Sequence, residues 1–153
     1  MSTSTMPEHV AALGSPDIST RIEAIVGLTQ QPDAARPALA TLIADPDAPV
    51  IARVWAMIAI CQIKDDDRQL ASRAIVSSLS AIEAIVRRSA LETLGTLKVD
   101  WAVQQIADSL NDDEPIPEAW FDDGASPSQA ARRALEAIGT PEALRILGTS
   151  SGK

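Results

Sequence analysis

The sequence predicts an all-α protein of about eight short helices paired as four hairpins. Three observations carry this: apolar residues recur at helical spacing almost throughout, turn-forming residues interrupt the pattern at intervals, and one segment occurs twice. The periodic sets are Ile22, Ile25, Val26 and Leu28, then Val54, Met57, Ile58 and Ile60, then Val86, Ala90, Leu91 and Leu94. No segment alternates at the period of two that a half-buried strand needs. Pro, Gly and Asp cluster at residues 14–17, 31–33, 45–49, 65–67 and 111–117, and these mark the helix breaks.

The repeat is Ala90-Leu91-Glu92-Thr93-Leu94-Gly95-Thr96, which returns as Ala134-Leu135-Glu136-Ala137-Ile138-Gly139-Thr140. Ala24 and Ala56 occupy the place of Ala90 in earlier copies, and each of the three is preceded three residues earlier by an arginine: Arg21, Arg53 and Arg87. The last copy departs, with Ala131 at the arginine's place and Arg132 and Arg133 beside it. Small alanines predict that the helices of a hairpin approach closely, with Leu or Ile four residues on sealing the layer beneath. Gly95 and Gly139 are expected to end their helices as left-handed caps. Second helices are expected over about 34–44, 68–79, 101–110 and 141–147, the last opening on a proline at the favoured first position, while Pro37 interrupts the first of them or marks its first turn.

These residues resemble HEAT repeats, and the short bacterial variety known as phycobilisome-lyase HEAT-like repeats most of all. The resemblance rests on residues 47–61, on Val86-Arg87-Arg88-Ser89-Ala90-Leu91-Glu92-Thr93-Leu94-Gly95 and on residues 131–144, and it covers roughly residues 15–147. It implies an α-solenoid whose second helices line a concave face. Repeats are placed at about 15–45, 46–80, 81–112 and 113–147, with an acidic insertion at 113–127 and flexible tails at 1–14 and 148–153. In the family the first-helix arginine commonly pairs with an acid near the preceding turn. That implies a ladder of Arg53 with Asp45 or Asp47, and of Arg87 with Glu83 or Asp112, which sets register between neighbours more than it adds stability.

The insertion holds five acids, no base, and two of the protein's four aromatics, Trp120 and Phe121. Two readings stay open: a plug that closes the end of the core, or a partner-docking loop with Asp122 and Asp123 beside the aromatics. A contact surface is also expected around Trp101, with Gln104, Gln105 and Asp108 following at spacings that expose them and with Arg68 at a corresponding level. Ser72, Arg36 and Thr41 extend that polar surface. Trp55 falls inside an apolar helix pattern and reads as core.

Chemistry of the chain's own finds little support. The single histidine, His9, lies in the expected tail, no serine sits in a nucleophile-elbow sequence, and Cys61 reads as a buried small apolar group. Asp65-Asp66-Asp67 lacks the alternating ligands, glycine and closing glutamate of a calcium loop, and helix capping explains it, so no metal and no cofactor is expected. Thirteen basic against twenty-one acidic residues, a net charge of −8, repel phosphate backbones and exclude a general nucleic-acid binder. No stretch reaches the length of a membrane span, and the first residues lack the basic start and apolar run of a secretory signal, so a cytoplasmic location is expected. The function expected is a non-catalytic scaffold or adaptor for a protein partner, as a monomer or weak homodimer. The resemblance also implies two alternatives: a subunit of a bilin-chromophore lyase, or an assembly helper for a cofactor or metallocluster protein.

Overall fold

The computed structural model describes residues 5–63, 69–117 and 125–152. Among them it is all-helical, with nine α-helices, two single 3-10 turns and no strand. The chain divides into two compact units, residues 1–75 and 76–153, each with its own packing.

In the first unit, helix α1 (Met6–Ala12) stands where the sequence reads as a flexible tail. Its cause is local: the Thr5 side chain accepts from the Glu8 amide while the Glu8 carboxylate accepts from the Thr5 amide, a reciprocal capping box that satisfies two donors otherwise left open. Leu13, just after the helix, is fully buried, and the His9 ring lies directly on Gly27 of α2 (Ile18–Thr29). Asp17 caps α2 through the Thr20 amide. Only Arg21, Ala24 and Leu28 of that helix are buried, whereas Ile18, Ile22 and Val26 are about half exposed, so part of its apolar periodicity faces outward.

Helix α3 (Pro32–Ala44) opens on a proline and runs without a break through Pro37. Pro37 therefore lies inside the helix, and Thr41 Oγ1 donates back to its carbonyl at 3.0 Å. Helix α4 (Val50–Gln62) packs against α2 and α3 through Ala52, Val54, Ala56, Met57, Ala59 and Ile60. Leu13, Leu28, Leu39, Ile43 and Met57 form the fully buried centre of this unit, each worth about 1.5–3 kcal/mol of apolar burial. The unit boundary falls after Ile75 of α5 (Gln69–Ser77).

In the second unit a 3-10 turn over Ser78–Ser80 leads to α6 (Ala84–Thr96), the central helix, with ten of its thirteen residues buried. A second 3-10 turn, Asp100–Ala102, runs into the short α7 (Val103–Ala107). Helix α8 (Pro127–Ile138) begins with Ser126 and Gln129 in a second capping box and Pro127 at the first helical position. Gly139 ends α8 at φ 66°, as the sequence predicts. The final helix, α9 (Pro141–Gly152), continues past residue 147, where the sequence places the start of a tail.

Gly95 departs from its expected role. It lies inside α6, not at its cap; the left-handed residue beyond α6 is Lys98, at φ 53°, whose Nζ donates to the Ala137 carbonyl at 2.7 Å. A Cβ at Gly95 would stand 2.8 Å from Ala134 Cα. The close approach that the small residues permit joins α6 to α8, and not α6 to α7, the helix that follows it in the chain.

A polar groove between the Ser78–Ser80 turn and helix α7

The three repeated arginines have a shared job. Arg21 donates to the Ser15 carbonyl at 2.5 Å, Arg53 Nε to the Ile43 carbonyl at 3.0 Å, and Arg87 to the carbonyls of Ala81 and Ile82 at 2.9 and 2.7 Å. Each of these arginines therefore satisfies backbone acceptors in the stretch of chain that precedes its own helix, near a helix end or in a turn. Arg87 engages carboxylates as well, and among them is Asp112, one of the two acids the sequence offers for it. Its Nε lies 2.7 Å from Asp112, and its other terminal nitrogen reaches Asp112 at 3.3 Å and Glu114 at 2.5 Å. The hydrogen bond from Arg87 holds the Asp112 carboxyl below its ordinary value, against the opposing effect of burial, and the same bond pushes Arg87 further up. Asp45 and Asp47 are exposed in the turn before α4, where the Asp45 carboxylate accepts from the Asp47 amide at 2.9 Å.

Arg21 has a second contact: its guanidinium carbon lies 4.6 Å from the centre of the Trp55 ring. Trp55, read as core from the apolar helix pattern, is half-buried and carries this guanidinium over its ring. Cys61 is likewise half-buried, and Ser72 is buried, so Ser72 offers little to an outer surface.

In the second unit Ala102, Val103 and Ile106 are buried and anchor α7 to the core. That face fixes the opposite one, so Trp101, Gln104, Gln105 and Asp108 are all exposed, as their spacing predicts. The amides of Ser109, Leu110 and Asp112 bond to carbonyls three residues back, tightening the end of α7 into a short rim. Between this rim and the preceding turn lies a groove of about 480 Å³, walled by Val76, Ser77, Leu79 and Ser80 on one side and by Gln105, Asp108, Ser109 and Asp112 on the other.

The groove is polar and acidic. Asp112 at its end is engaged by Arg87, whereas the Asp108 carboxylate has no hydrogen bond or ion pair among the described residues. Gln104 turns away and donates to Glu142 of α9. The sequence thus finds Gln105 and Asp108 but not the serines opposite them, because Ser77 ends α5 and Ser80 belongs to the 3-10 turn that follows, where the α-helical period no longer assigns faces. A second cavity, of about 380 Å³, lies where α6 and α8 present Gly95, Ala130, Ala134 and Ala137, and follows from those small side chains.

Of the residues that sequence reasoning favours for partner binding, Arg68, Trp120, Phe121, Asp122 and Asp123 lie outside the described residues, as does the Asp65–Asp67 run. Within the insertion, Ile116 is buried and Ser128 Oγ donates to the Asp113 carboxylate, which ties its first residues to the start of α8. No group of three or more His, Cys, Asp or Glu residues among those described is placed to hold a metal ion, and no helix among them is long and apolar enough to cross a membrane. No protein-family model matches the chain, and no curated protein is significantly similar to it.

Proposed function

We propose that the protein is a non-catalytic adaptor that binds a partner protein through the groove beside α7 and the exposed face that begins at Trp101. The observation that carries this reading is the groove itself: a concave, polar, partly open surface with an exposed tryptophan at one end of the helix that forms its wall. Interfaces favour such a combination, since a large aromatic supplies contact area and a polar rim fixes register. The hairpin-repeat reading of the sequence agrees with it, because second helices such as α7 are the surface-forming helices of a HEAT-like solenoid. The acidic balance of the chain favours a protein partner over a nucleic acid.

Affinity capture with the intact protein beside a Gln105→Lys, Asp108→Lys variant tests it, with circular dichroism to verify that the variant keeps its helices. Recovery of one identified protein by the intact form and its loss with the variant supports the adaptor. Equal recovery by both forms, or co-purification of a small molecule alone, contradicts it.

A further inference from the structure

We infer that the groove receives an arginine side chain from a basic, extended segment of the partner; this deepens the adaptor reading and rests on it. Two independent features point there. Asp108 is an exposed carboxylate on the wall with no cation engaged among the described residues. Ser109 lies on the same wall, is 9% exposed as a residue, and its hydroxyl makes no hydrogen bond among the described residues, so it opens into the groove as a second polar group that an incoming ligand can meet.

The charge of the ligand follows from its surroundings. Residues 76–153 carry twelve acids against seven bases, and the two ionisable side chains that wall the groove, Asp108 and Asp112, are both carboxylates. An anion is repelled there and a cation attracted. Arginine fits better than lysine because the acceptors are spread out: the Asp108 carboxylate, the Gln105 amide oxygen and the Ser109 hydroxyl call for a planar fork with several donors. The same corner already holds one guanidinium on such a mixed set, with Arg87 bound by Asp112, Glu114 and two backbone carbonyls.

The test is a titration of the full-length, nitrogen-15-labelled chain with the blocked heptapeptide Gly-Ser-Arg-Gly-Arg-Ser-Gly, followed by amide chemical shifts. Matched peptides carry citrulline or lysine in place of arginine. Saturable shifts centred on Ser80, Gln105, Asp108 and Ser109 are expected, abolished by citrulline and weaker with lysine. Asp108→Asn, a surface change that leaves the fold in place, should weaken the arginine peptide roughly tenfold, the loss of one charge-assisted hydrogen bond. Shifts scattered over other acidic surfaces, equal shifts with citrulline, or none at millimolar peptide overturn the inference. If the capture experiment recovers a groove-dependent partner while the arginine peptide leaves these amides unmoved, the adaptor stands and the arginine pocket falls. If both fail, both fall.

Discussion

Replacing Gly95 with alanine opposes two effects whose sizes are known. In a solvated helix interior, Gly→Ala stabilises by about 0.5–1 kcal/mol, because alanine loses less backbone freedom on folding. At Gly95 the new methyl would lie 2.8 Å from Ala134 Cα and 3.0 Å from its Cβ. Carbon atoms rest at about 3.5–4.0 Å, so α6 and α8 must separate by several tenths of an ångström across their whole contact. Overpacking of this kind costs about 1–3 kcal/mol, and with the helix gain set against it the expected net loss is about 1–2 kcal/mol. Urea unfolding followed by circular dichroism measures it, with Gly148→Ala as the control. Gly148 lies inside α9 with nothing within 4 Å of its missing Cβ, so that change should be neutral or stabilising. Combining Gly95→Ala with Ala134→Gly should restore only part of the loss, because the tighter contact is to backbone that the second change leaves in place. A Gly95→Ala protein as stable as its parent would refute the close-approach explanation.

Three further outcomes follow from the arginines and caps. Arg87→Met strands a partly buried carboxylate and two carbonyl acceptors, and should cost about 2 kcal/mol near neutral pH. Because the Asp112 carboxyl is held low in the folded state, its contribution is present above about pH 4, the unfolded value, and is lost as pH falls through the lowered folded one, so the gap between Arg87→Met and parent should narrow in acid denaturation series below about pH 4. Arg21→Met removes the cation over Trp55 and the bond to Ser15, and should lower stability by about 1 kcal/mol while shifting tryptophan emission, read in the same urea series. Ser126→Ala breaks the capping box of α8 and should cost about 1 kcal/mol, measured by thermal melting.

The sequence shows helices and their boundaries best where the cause is local. Pro141 opens a helix at a position that suits a residue without an amide proton, and Gly139 closes one at positive φ, both as the spacing predicts, whereas Pro32 and Pro127 open α3 and α8 in places the sequence reads as a break and as the end of the insertion. The same rules miss α1, although Thr5 and Glu8 have the spacing of a capping box, because seven residues with no buried side chain give little periodic signal. Gly95 is misread for another reason: a glycine near a helix end has two uses, a cap or a close contact, and only the position of Ala134 decides between them. The arginine period is visible, but its carbonyl partners are not, since every residue carries the same backbone acceptor. Likewise Gln105 and Asp108 declare their exposure by spacing, while Ser80 joins them through a fold that brings residues nearly thirty positions apart to one groove.

The central claim is that the α7 groove is where a partner protein sits, and site-specific photocross-linking in living cells tests it most directly. A photoreactive amino acid is placed at Gln105, at Trp101, or at Glu136, an exposed position on α8 outside the groove's walls. One and the same protein is expected to cross-link from positions 105 and 101, and none from 136. No product at 105, or equal capture from all three positions, would contradict it.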